Sequence, residues 1–123
     1  PGVPATDEAD AELNYAAMVL SDGKLSGPKS LQVIAAGNGS VEIAWEPNKR
    51  RFDSDRDELM MLVYIPEKEG SEFRIGEAKR SDKKYTFSYR SEVAGLRGEV
   101  FVAFVSFDRK KASRSEYLGS VIL

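Results

Sequence analysis

Two stretches of this chain are apolar at nearly every position. They are Leu59-Met60-Met61-Leu62-Val63-Tyr64-Ile65 and Val100-Phe101-Val102-Ala103-Phe104-Val105-Ser106-Phe107. A strand that is apolar on both faces belongs in the middle of a sheet, with cover on each side. Other stretches alternate. In Val41-Glu42-Ile43-Ala44-Trp45 the residues Val41, Ile43 and Trp45 share a face, and in Tyr85-Thr86-Phe87-Ser88-Tyr89 three aromatics do. Leu31 to Ala36 and Tyr117 to Leu123 add two more strands, and the weaker alternation of Phe73 to Ala78 predicts an edge strand. Turn residues punctuate the series: Gly37-Asn38-Gly39 closes a hairpin, Pro66 stops the first apolar run, and Leu96-Arg97-Gly98 opens the second. Pro47 to Glu58 reads as a long charged loop.

Many short strands separated by turns, with no convincing helix, predict an all-β fold, an antiparallel β-sandwich. Residues 1–12, rich in Pro, Ala, Asp and Glu, read as an arm or linker. The domain is expected over 13–123. Segment 13–30 packs on or leads into the sandwich, and the core strands run over 31–123. Leu13 to Leu20 is apolar apart from Asn14, and fits helix or strand equally.

At 123 residues the chain is long enough for one core, and 41% apolar with 31% charged residues marks it as globular. A net charge of −2, with Lys and Arg spread along the chain, gives no basic stripe, so no nucleic acid partner is expected. The absence of His and Cys removes the commonest general base, thiol nucleophiles and thiolate metal sites. No cofactor or metal is expected and no membrane insertion, since no apolar run approaches the ~20 residues of a span. The start at Pro1, without Met or a signal peptide, suggests a processed chain or part of a longer protein.

Candidate chemistry is sparse. Asp53-Ser54-Asp55-Arg56-Asp57-Glu58 spaces carboxylates as calcium loops do, but Glu58 stands where such a loop needs Gly, and Arg56 interrupts the acids. A solvated mixed-charge loop is the reading adopted. With no His, only a Lys could serve as base to a nucleophilic Ser, and no Ser-x-x-Lys motif is placed to expose one, so the chain is read as non-enzymatic. Gly37-Asn38-Gly39 joins strands rather than opening a helix, so it is a hairpin and not a phosphate cradle. Tyr85, Phe87 and Tyr89 are either a sugar-stacking platform or, the reading preferred, the core face of their strand. Trp45 is expected in the core, where Trp45→Ala should be strongly destabilising.

The order of features resembles the fibronectin type III or immunoglobulin-like sandwich. The resemblance lies in Trp45 at the end of the second strand, the Leu96-Arg97-Gly98 turn, and Ser113 and Ser115 before the last strand. It places Phe101 at a corner Tyr position, and hence in the core with Ala103, Val105 and Phe107. The opposite face, Met60, Leu62, Tyr64, Val102 and Phe104, would then point outward as a patch too large to stay bare. Further motifs resemble a family of uncharacterised Bacteroidetes proteins, domain of unknown function 6266. They are Leu20-Ser21-Asp22-Gly23-Lys24-Leu25, an Asp-led strand from Asp57 to Tyr64, an isolated Arg80, Ala103-Phe104-Val105-Ser106, and Ser113 to Gly119. Members usually carry a further Gly-rich N-terminal region. The expected function is a non-catalytic interaction or assembly domain, the C-terminal part of a larger bacterial protein. Its outward patch would be covered by Leu13–Leu20, by the missing N-terminal region or by another protein chain. A carbohydrate-binding or adhesion module, with a glycan as partner, is the alternative.

Overall fold

The computed structural model describes residues 25–46, 49–50 and 52–123; the arm at 1–12, the apolar segment 13–20 and the turn at 21–24 lie outside them. The described strands are β1 (Lys29–Gly37), β2 (Ser40–Glu46), β3 (Glu58–Ile65), β4 (Gly70–Lys79), β5 (Lys84–Ser88), β6 (Arg97–Val105) and β7 (Glu116–Ile122). They form two antiparallel sheets, one ordered β1-β2-β5 and the other β4-β3-β6-β7, packed as a sandwich. The two strands that are apolar on both faces, β3 and β6, are central neighbours in the larger sheet, and the weakly alternating β4 is at its edge. Local chemistry ends the strands where the residues say it should. The β1–β2 hairpin turns on Gly37, Asn38 and Gly39, all at positive φ, where Gly has no Cβ to clash and Asn is tolerated. Pro66 starts a 3-10 turn that ends β3.

The core is built from Val41, Ile43 and Trp45 of β2, Leu59, Met61, Val63 and Ile65 of β3, Phe87 of β5, and Val100, Val102 and Phe104 of β6. Trp45 is 4% exposed and meets Phe104 edge-on at 5.8 Å, a geometry that adds about 0.5–1.5 kcal/mol to the burial itself.

The facing of β6 differs from the sequence expectation. Val102 and Phe104 are fully buried between the sheets, whereas Phe101 is half-buried on the outer face against Tyr117, at 5.2 Å between rings. Phe107 lies beyond the strand in a turn and is 52% exposed. Ala103 and Val105 are buried, but in a separate cluster on the outer face with Met60 and Ala112. Register alone forbids the expected grouping. Met60 pairs with Ala103 and Leu62 with Phe101, while Val102 pairs with Met61 and Phe104 with Leu59. Directly paired residues share a face. The physical reason is that a strand apolar on both sides carries no facing signal in its middle. The signal sits at its ends, where Arg97 and Glu99 have the parity of Phe101, and Glu58 that of Met60.

Candidate functional site

Three places can be weighed as sites: a buried charge cluster, the outer face of the larger sheet, and a groove at one end. The cluster centres on Arg80, whose side chain is 0% exposed. It lies in the 3-10 turn joining β4 to β5, and its backbone N–H donates to the Asp57 carbonyl at 2.8 Å. Its guanidinium donates through Nε to Asp57 Oδ2 at 3.1 Å, places Nη2 3.0 Å from the same oxygen and 3.4 Å from Asp53 Oδ1, and donates to the Ser26 carbonyl at 2.9 Å. The charge also lies 4.2 Å from the Phe104 ring centroid, a cation–π contact, and the Trp45 indole donates to the Arg80 carbonyl at 2.9 Å.

The carboxylates are held from outside as well. Ser26 N–H donates to Asp53 Oδ1, Arg50 N–H to Asp53 Oδ2, and Ser54 N–H to Asp57 Oδ2. The loop expected to be solvated is therefore only partly so. Asp55 and Arg56 are exposed, but the Asp53 and Asp57 side chains are 1% and 2% exposed and committed to Arg80. Among the described residues no group of three or more acids is arranged to hold a metal ion. Burying charge demands pairing, and this pairing is complete enough to be structural. The sequence signal was present as an isolated Arg and an Asp-led strand, but nothing in the chain's linear order links positions 23 residues apart.

Ser113 has a similar role. It accepts from the Phe104 N–H at 2.9 Å and donates to the Arg114 carbonyl, serving backbone where β6 and β7 separate. Tyr85, Phe87 and Tyr89 offer no platform: Phe87 and Tyr89 are buried, and the Tyr89 hydroxyl accepts from Gly39 N–H. Tyr85 is half-buried and donates to Glu77; burial, followed by that bond to a carboxylate, raises its pKa well above the ordinary value.

On the outer face of the β4-β3-β6-β7 sheet, Met60, Ala103, Val105 and Ala112 are buried, with Phe73 and Ile75 packed beside them. Of the expected interface residues, Met60 is thus enclosed at 2% exposure, Leu62 is half-buried and Tyr64 is 40% exposed, while Val102 and Phe104 belong to the interior. The structure brings Phe101 and Tyr117 to this face instead, and Tyr117 is 59% exposed. Glu99 accepts from the Tyr117 and Ser120 hydroxyls and pairs with Arg97 at 2.9 Å. The bond from Tyr117, then that from Ser120, lowers its pKa. A groove of about 370 Å³ lies at the end of the sandwich near Ile65, Lys68, Glu72, Arg90 and Val93, its Glu72 occupied by Arg90 at 2.7 Å.

A family model described as a family of unknown function, DUF6266, matches residues 9–119, and the chain belongs to that family. No curated protein matches the chain.

Proposed function

We propose that this chain is a non-catalytic interaction domain that meets a protein partner through the outer face of its larger sheet. The observation that carries this reading is the partly open apolar strip of Leu62, Phe101, Tyr64 and Tyr117, continuous with the enclosed Met60–Ala103–Val105 cluster. Tyr is the residue type that gains from burial at an interface while keeping a hydroxyl in a polar rim. The rim here is Glu99, Ser120 and Arg97.

The partner proposed is a second copy of this chain, and sedimentation equilibrium tests it. A concentration-dependent dimer weakened by Tyr117→Lys or Leu62→Lys, with an unchanged melting temperature, supports the proposal. A monomer at every concentration overturns the second-copy assignment. A carbohydrate-binding role is the second reading, favoured by the Tyr117 ring standing beside the Glu99 carboxylate and Ser120 hydroxyl. Glycan-array binding abolished by Tyr117→Ala would establish it over self-association.

The sandwich is proposed to be of the fibronectin type III kind. Support comes from the described strands, seven divided three and four, with the fourth beside the third, and from a buried Trp at the end of the second. Phe101, placed on the outer face, does not fill the corner position that the resemblance assigns to it.

A further inference from the structure

The fold sorts charge between its two ends in a way the linear chain conceals. Three connections meet at one end: 47–57 between β2 and β3, 80–83 between β4 and β5, and 106–115 between β6 and β7. Their described residues include nine Lys or Arg against five Asp. At the opposite end, the connections 38–39, 66–69 and 89–96 hold Lys68 and Arg90 against Glu67, Glu69 and Glu92.

The first end also buries two of its acids. Asp53 and Asp57 are enclosed with Arg80, so the cations around them face water with fewer exposed carboxylates to offset them. Arg50, Lys83, Lys110 and Arg114 are exposed and form no ion pair among the described residues. Two large apolar side chains stand among these cations, Phe52 and Phe107, each 52% exposed. Arg56 lies 4.0 Å above the Phe107 ring centroid, which holds the 47–57 and 106–115 connections side by side. Hydrogen bonds fold the 106–115 connection onto itself: the Ser106 hydroxyl accepts from the Lys110 and Lys111 N–H groups and donates to Asp108.

We propose that this end of the sandwich docks on an anionic lipid membrane surface. Its cations sit on several short loops at the tip of one domain, so they approach a plane together. Each adds electrostatic attraction to a negative leaflet, and exposed Phe side chains between them add apolar burial at the headgroup boundary. A single-stranded nucleic acid fits less well. Stacking a base needs a free ring face, and one face of Phe107 is already taken by Arg56. The surface is separate from the sheet face assigned above to a protein partner, and the two assignments stand or fall independently.

The test is co-sedimentation of the 123-residue chain with vesicles of phosphatidylglycerol and phosphatidylcholine, and with phosphatidylcholine vesicles alone. The expected result is binding to the anionic vesicles only, released by raising the salt. Arg50→Glu with Lys110→Glu should lower it by about tenfold or more, because two attractive charges become repulsive. Phe107→Ser should weaken binding while leaving its salt dependence intact. All these side chains are exposed, so melting temperatures serve as the folding control. Lys68→Glu, at the other end, should bind as the parent does. The proposal is overturned if anionic vesicles fail to retain the chain or do so no better than neutral ones. It is equally overturned if the double reversal binds undiminished, if Lys68→Glu weakens binding as much, or if a single-stranded oligonucleotide binds more tightly than the vesicles at the same salt.

Discussion

At one end of the sandwich Arg80 is enclosed with Asp53 and Asp57; at the other, Arg90 and Arg97 pair with Glu72 and Glu99 while their own side chains are 65% and 59% exposed. Both arrangements are arginine–carboxylate pairs at similar distances, yet their consequences differ. Water screens the exposed arginines, and the buried Glu72 keeps Arg74 at 3.5 Å when Arg90 is removed. Nothing screens Arg80, whose removal strands two carboxylates in a site that excludes water. The difference teaches that pairing distance says little about energetic weight, and burial of both partners says a great deal.

The sharpest way to break this comparison is to delete each arginine. Arg80→Ala should cost about 3–5 kcal/mol, enough to unfold a domain of ordinary stability, whereas Arg90→Ala should cost about 0–1 kcal/mol. Urea titration of both variants measures the contrast, and equal losses would falsify it. Replacing the cluster as a set, Arg80→Met with Asp53→Leu and Asp57→Leu, should restore part of the loss, because apolar groups in place of a buried ion set leave no charge unpaired.

Trp45→Ala comes next to Arg80→Ala in size, at about 3–5 kcal/mol. It removes both the edge contact with Phe104 and the donor to the Arg80 carbonyl, so it attacks the same end from the apolar side. A near-native melting temperature for this variant would show that the indole contributes little.

Gly98→Ala tests the opposite end. A Cβ there would lie 2.6 Å from Val63 Cγ1, with the Leu123 side chain at 3.5 Å. Overpacking of this kind typically costs about 1–3 kcal/mol. Thermal denaturation should show a clear drop, and an unchanged midpoint would mean that Val63 shifts without strain.

Tyr85 supplies a pH dependence of smaller reach. Its pKa is raised in the folded protein above the ordinary 10.0, chiefly by burial. Below pH 10 both states hold the phenol proton and the contribution is fully present; as pH rises further, the unfolded chain ionises first and stability falls. Tyr85→Phe should remove that part of the alkaline loss, measured as stability against pH from neutral to strongly alkaline. An identical alkaline slope in the variant would show that Tyr85 is not its source.

The smallest expected effect is none. Calcium should leave the melting curve of the chain unmoved, because the Asp53 and Asp57 oxygens already accept from Arg80 and from backbone N–H groups. An upward shift reversed by a chelator would show that the ion competes successfully with Arg80.

Much of the fold was legible because strand and turn signals are local. Alternation in Val41–Trp45, the Gly37-Asn38-Gly39 turn and the stop at Pro66 each depend on a few adjacent residues, and each appears in the structure where the pattern puts it. Trp45 in the core follows from the same kind of signal. Less of the candidate site could be read. Of the five residues expected to face outward together, Met60, Leu62 and Tyr64 lie on the outer face of the sheet, whereas Val102 and Phe104 lie between the sheets.

The chain by itself determined which segments are strands, where they turn, and that β3 and β6 must be central. Three things were decided only by the tertiary structure. The inward face of β6 was settled by register against β3 and by Trp45 meeting Phe104, since both parities of that strand are apolar. The enclosure of Asp53 and Asp57 was settled by Arg80 arriving from a later connection. The gathering of cations at one end was settled by the antiparallel path, which returns the chain three times to the same place. Each of these joins residues more than twenty positions apart. Local pattern encodes periodicity and breaks, but the partner of a charge or a face is whatever packing brings beside it.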